Sequence, residues 1–179
     1  MRQLRAEGKI ERVGLGMNAD KRPDLILRLL RESPPGTFDD ALLAGGWNLL
    51  GQASLDILGE CEKLGVKVAN AGVFATGFLV GGKAYLYDEN PPAEIVAARD
   101  GWMQLAKRYN LSLPAVALRF ASLPAVVEKV LLGVKSAAEV ELNVAKIEEA
   151  ATVPAQLWHD ARKAGLLSPA ISVPPVGSL

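Results

Sequence analysis

The chain has 179 residues, half of them apolar, with 20 Lys+Arg balanced by 20 Asp+Glu. That composition suits one packed soluble domain, or a large piece of one, and gives no basic excess for nucleic acid or an anionic membrane surface. Cys61 and His159 are the only residues of their types, which excludes a disulfide framework, a thiolate zinc site and a multi-histidine metal centre.

The first residues, RQLRAEGK, read as the last turns of a helix stopped at Gly8, without a preceding cap. The start has no signal-peptide core and no apolar run is long enough to span a bilayer, so a cytoplasmic setting is expected. Lys9–Asn18 reads as a strand ending in glycines, and RPDLILRLLRES as a helix with Pro23 near its first position. FDDALLAGGW holds a short strand, ASLDILGECEKLG a helix stopped by Gly65, and Val66–Val73 a third strand. A long excursion then leads to a helix in AEIVAARDGWMQLAKRYN. A second helix, SLPAVALRFASLP, follows with Ser112 as its cap. VEKVLLGV is the fourth strand. Helices in Ser136–Ala150 and Pro154–Leu167 precede an extended, proline-rich tail, SPAISVPPVGSL. Apolar strands alternating with helices predict an α/β fold on a parallel sheet, with the site at the carboxyl ends of the strands.

Four stretches invite chemical readings. Gly14–Ala19 places Gly-x-Gly after a strand, but Ala19 stands at the third glycine of a dinucleotide fingerprint and no helix follows at once; a tight strand end needing positive φ is preferred. Gly77–Ala84 matches G-x-x-x-x-G-K, but Ala84 replaces the hydroxyl residue that would hold magnesium, so a lid is preferred. Lys83, Tyr85, Tyr87 and Asp88 are expected to form a solvated loop, His159 to lie on the surface, and Cys61 to be a buried or half-buried thiol. Ser136-x-x-Glu139 is a capping box. Lys135 lies outside that explanation, and a lysine between a strand end and a helix amino end suits a phosphate or a ribose.

EGKIERVGLGMN, LLAGGWNLLGQASLDILGECEKLGVKVANAGVFATGFL and LLGVKSAAEVELNVAKIE together resemble the carboxyl-terminal half of an aldo-keto reductase, of the type that oxidises D-threo-aldoses, L-fucose and L-galactose. The resemblance covers nearly the whole chain. It implies residues 1–179 as a partial domain: strands five to eight of a (β/α)8 barrel, without the first half. It further implies an NAD or NADP cofactor and a small sugar substrate oxidised at its anomeric carbon. In that register Asn18 falls where the nicotinamide carboxamide is held, with Met17 and Ala44 standing where the family has serine and glutamine. Asn70 falls where many members stack a tyrosine on the nicotinamide. Ala71, Gly72, Phe74 and Gly77 belong to the loop along the pyrophosphate, and Gly133, Val134, Lys135, Ser136, Glu139 and Asn143 to the clamp on the adenosine phosphate. Glu139, a carboxylate near the ribose, favours NAD over NADP. The family's catalytic Asp, Tyr, Lys and His belong to the first half, so no catalytic residue is assigned here. The alternative function is a non-catalytic half barrel that binds or assembles. Four strands of an intended eight also predict open edges, self-association or poor packing for the chain alone.

Overall fold

Four five-residue strands lie side by side, all parallel and in chain order: β1 Gly14–Asn18, β2 Asp40–Ala44, β3 Lys67–Ala71 and β4 Val127–Leu131. The computed structural model describes residues 1–176, so the last three residues of the expected tail lie outside it. Seven helices accompany the sheet among the described residues: α1 Arg2–Ala6, α2 Pro23–Glu32, α3 Leu55–Leu64, α4 Ala93–Arg108, α5 Leu113–Ala121, α6 Ala137–Ala150 and α7 Ala155–Lys163. This is four parallel strands with their helices, an arrangement found in part of a TIM barrel.

The helix limits follow local chemistry. Pro23 and Pro114 occupy first-turn positions, where a missing N–H costs nothing. Ser112 Oγ accepts from Ala115 N at 3.4 Å and Ser136 Oγ from Glu139 N at 3.2 Å. Gly65, at φ 69°, ends α3 in the left-handed conformation that a side chain would oppose. β1 is shorter than its apolar run: it begins at Gly14, where the partner strand begins at Asp40, and residues 9–12 have no strand beside them. Gly14 and Gly16 lack the positive φ expected of them. A Cβ at Gly14 would meet the carboxylate end of Asp40, a half-exposed side chain able to move aside.

Strand parity sorts the sheet into two faces. Ala41, Leu43, Val68 and Val127 point into the helical layer and are buried with Ile26, Leu30, Ile57, Leu58 and Cys61. An aromatic group extends that core. Trp47 stacks on Phe120 with centroids 4.9 Å apart, Phe120 lies 6.1 Å from Trp158, and Trp158 meets Trp102 edge-on at 6.3 Å. The opposite face is open: Gly14, Gly16, Asn18, Leu42 and Leu131 are exposed there.

Two polar clasps join distant segments. Gln52 donates to the Leu166 carbonyl and accepts from Ser168 N, both at 3.1 Å, and so holds the tail; Leu167 and Ile171 beside it are buried. Glu149 of α6 accepts from Ser112 N (2.5 Å), Ser112 Oγ (2.8 Å) and Lys146 Nζ (2.7 Å), binding the start of α5 to α6. Burial works to raise the Glu149 carboxyl, but the hydrogen bonds from Lys146 and Ser112 outweigh it and hold the group below the usual glutamate range. Its folded value therefore lies under the unfolded one near 4.3. The stabilisation is complete above that value and is lost as pH falls through the folded one. Glu149→Gln is expected to cost about 1–2 kcal/mol at pH 7, with a smaller gap from the parent at pH 3. Urea midpoints at the two pH values measure this, and an equal gap at both would contradict it.

Candidate functional site at the carboxyl ends of the strands

The register aligns Asn18, Ala44, Ala71 and Leu131 in one row across the four strand ends. Backbone contacts tie the ends together. Ala19 N donates to Ala44 O at 2.8 Å, and Gly45 N to Ala71 O at 3.1 Å. Gly72 approaches Gly45 so closely that a Cβ would lie 3.0 Å from Gly45 N. Beyond β3 the chain coils tightly, with positive φ at Gly72, Ala75, Thr76 and Gly77. Two of those four carry side chains, so the loop holds a conformation that local preference opposes; such strain gathers at ligand-holding segments. The coil is closed by Ala75 N to Gly72 O (2.9 Å), Gly77 N to Phe74 O (3.0 Å) and Gly82 N to Gly77 O (2.9 Å).

Past β4, Gly133, Val134, Lys135, Ser136 and Glu139 are exposed and Asn143 is half-buried. Glu139 Oε2 accepts from Lys135 N at 2.7 Å. The carboxylate thus folds back one residue beyond the Ser136 cap, which serves the helix end and keeps the negative charge beside Lys135. A Cβ on Gly133 would meet nothing within 4 Å. The first-turn amides of Ala137 and Ala138 have no acceptor inside the helix. Free first-turn amides, exposed Lys135 and the open space around Gly133 fit an anionic, phosphate-bearing group, with the Glu139 carboxylate at the same helix end limiting how much negative charge it can carry.

Asn70 departs from its expected place. Its side chain points into the helical layer, 1% exposed, and its amide donates to Trp47 O at 3.0 Å and Ala121 O at 3.3 Å. The reason is parity: Asn70 shares its face with buried Val68, while Ala69 and Ala71 face the other way. In this chain Asn70 ties a strand to the loop and helix behind it, and a sealed amide cannot stack on a ligand. Asn18, Ala71, Gly72, Phe74 and Gly77 lie at or beyond the strand ends, with Asn18 and Gly72 exposed and the others half-buried.

Two residues that sequence reasoning passed over shape this rim. Asn48 is fully buried; its Nδ2 donates to Gly45 O (3.0 Å) and its Oδ1 accepts from Leu50 N and Gly51 N (2.9 Å each), fixing the loop after β2. An Asn amid glycines was the available signal. Asp20 presses on Gly45, where a Cβ would sit 2.8 Å from its Oδ1. The glycine-rich stretch Gly77–Ala84 forms a 3-10 turn, Phe78–Val80, inside the closed coil. Tyr87 is exposed as expected, but Tyr85 is half-buried against Phe78 at 5.9 Å. Burial first, then the Asp20 carboxylate, raises its phenol above the usual value. Cys61 is buried as expected and pushed up to about 11 by burial, with a further contribution from Glu60, which leaves the thiol unreactive. His159 is half-buried, 3.3 Å from the Pro174 carbonyl, rather than free on the surface.

The Aldo/keto reductase family model matches residues 1–157. The chain belongs to that family. A pyridoxal 4-dehydrogenase of Microbacterium luteolum is 33% identical over 170 residues, 93% of this chain and 47% of its own length. A D-threo-aldose 1-dehydrogenase of Pseudomonas sp is 28% identical over 93% of the chain and 50% of its own length. An L-galactose dehydrogenase of Arabidopsis thaliana is 26% identical over 83% and 46%. Among solved structures, an aldo-keto reductase from Bacillus halodurans in its holo form superposes with TM-score 0.69 at 23% identity, over 96% of this chain and 55% of that one. The fold is thus that of the family, and the chain spans about half the length of the relatives it matches. The relatives it matches are named as dehydrogenases. Among the described residues no helix is long and apolar enough to cross a membrane.

Proposed function

We propose that this chain forms the cofactor-holding side of an NAD(P)-dependent dehydrogenase that oxidises a small hydroxylated aldehyde, with an aldose at its anomeric carbon as the first candidate. The row Asn18–Ala44–Ala71–Leu131, flanked by the coiled loop after β3 and the amino end of α6, carries the reading. Asn18 would hold the carboxamide through its exposed amide, Gly72 and Gly77 would let the backbone approach the pyrophosphate, and Lys135 would meet the adenosine-side phosphate with the α6 amides. A bound nicotinamide dinucleotide supplies the hydride acceptor. The residues here bind and orient; proton exchange is left to groups outside this chain. The relative named for pyridoxal, an aldehyde but not a sugar, supports the broader substrate class.

Glu139 decides the cofactor. Its carboxylate, held beside Lys135 by the 2.7 Å bond to the Lys135 amide, repels an added 2′-phosphate and favours NAD. Calorimetric titration with NADH and NADPH tests the assignment. NADH is expected to bind more tightly, and Lys135→Ala to weaken both about tenfold or more, the scale of a charge-assisted hydrogen bond. Glu139→Gln should narrow the gap between the two. Failure of both dinucleotides to bind would remove the proposal, and an unchanged preference in Glu139→Gln would leave that residue only its helix-end role. No steady NAD(P)H production from an aldose or pyridoxal is expected of the chain alone. Turnover abolished by Tyr85→Phe would identify an acid within it.

A further inference from the structure

α3 carries a glycine that its own backbone does not require. Gly59 stands in the middle of Leu55–Leu64 without a positive φ, and a Cβ there would meet nothing within 4 Å. Glycine is the poorest helix former after proline, and here neither a turn nor a close neighbour explains it. The space beside it is a cavity of about 270 Å³ in the helical layer, whose lining includes Gly59, Trp47, Leu58, Pro124, Val126 and Ile171. Three segments far apart in the chain build its walls with Trp47: α3, the chain entering β4 and the terminal stretch held by Gln52. Trp47, Leu58, Val126 and Ile171 are themselves buried, so the apolar wall is set by core packing. A cavity of about 150 Å³ with an apolar lining takes benzene, so this one has room for a substituted ring. Only one of the lining residues is charged. Glu62, one turn after Gly59, is exposed at the mouth. Its neighbour Glu60 takes both Arg31 and Lys63, while Glu62 makes no ion pair among the described residues.

We propose that this cavity binds a small apolar amine, with its ring against Trp47, Leu58 and Ile171 and its ammonium at Glu62. The missing side chain at Gly59 leaves the ring its room. The apolar walls supply most of the affinity, because burial scales with the area removed from water. The exposed carboxylate adds little to that and selects charge instead, a cation over a neutral molecule and a neutral molecule over an anion. The site lies in the helical layer, apart from the open face of the sheet, and the proposal does not depend on the cofactor assignment.

Calorimetric titration of the 179-residue chain with 2-phenylethylamine, 2-phenylethanol and 3-phenylpropionate tests it, since the three share an apolar body and differ in charge. The amine is expected to bind at one site, about two- to fivefold more tightly than the alcohol, the scale of a solvent-exposed ion pair, and the acid more weakly than either. Glu62→Gln should bring the amine to the affinity of the alcohol and leave the alcohol unchanged. Gly59→Ala should raise the melting temperature by about 2–4 °C, the gain from a better helix former. The same variant should weaken amine and alcohol alike, by about threefold or more, because its methyl group presses into an occupied pocket. A glycine with no ligand to accommodate would show the first effect without the second. Gly59→Leu should abolish binding, and Gly59→Ala reads the site even if the leucine variant fails to fold. Absence of saturable amine binding, an alcohol or acid bound as tightly as the amine, or an amine affinity undiminished in Gly59→Ala would overturn the proposal.

Discussion

Phe120→Ala is expected to destabilise the protein by about 3–5 kcal/mol, the range for removing a buried aromatic ring. Phe120 has no exposed surface and lies between Trp47, stacked at 4.9 Å and 21°, and Trp158 at 6.1 Å. The cavity would open where three segments meet: the loop after β2, α5 and α7. Truncation therefore removes the ring's transfer energy and the packing of two indoles that cannot move in to fill the gap. Domains hold only about 5–15 kcal/mol in total, so a large share of the stability would go. Guanidinium unfolding followed by tryptophan emission gives the value directly. A loss under about 1 kcal/mol would mean that the aromatic group repacks, and the description of a rigid joint would fail.

Gly46→Ala is the second large effect, and its cause is space alone. Gly46 has no positive φ, but a Cβ there would overlap Ser54 Oγ and stand 2.8 Å from the Ala19 Cβ. Both neighbours are fully buried, and Ser54 N donates to Gly46 O at 3.0 Å, so the backbone cannot yield without breaking the loop. The expected cost is about 3 kcal/mol, the upper part of the usual range for overpacking. Ser54 Oγ has no hydrogen-bond partner, so Ser54→Ala alone should be close to neutral. In the double variant it should recover part of the loss, and that non-additivity reports the contact. If Gly46→Ala unfolds within 0.5 kcal/mol of the parent, the tight approach of the β1 and β2 ends is not real.

Much of this architecture was legible from residues whose local preference agrees with their place. Ser112 and Ser136 cap helices, Pro23 and Pro114 open them, Gly8 and Gly65 close them, and the apolar runs alternate with helical patterns in the order of the sheet. The candidate site was legible in position but not in direction. Asn70 illustrates this: its place in the strand was clear, yet its side depends on counting parity from Val68, and a one-residue step exchanges the helical layer for the open face. Lys9–Arg12 lacked a strand for another reason, since a strand needs a neighbour and β2 begins only at Asp40. The conformations at Ala75 and Thr76 had no local signal, because both residues ordinarily avoid positive φ.

Gln52 fastens the last stretch of chain to the loop after β2, across more than a hundred residues, with one amide group serving as both donor and acceptor. Leu167 and Ile171 are inserted beside it, and Ile171 shares a cavity wall with Trp47. No strand or α-helix passes through residues 166–176. The segment can lift away as one unit while every strand pair stays closed, so its opening demands less free energy than unfolding the sheet. The segment is a latch with several catches: wide opening of the Trp47 wall to water requires release of Gln52, of the Arg162 donation to the Ile171 carbonyl and of buried Leu167 and Ile171.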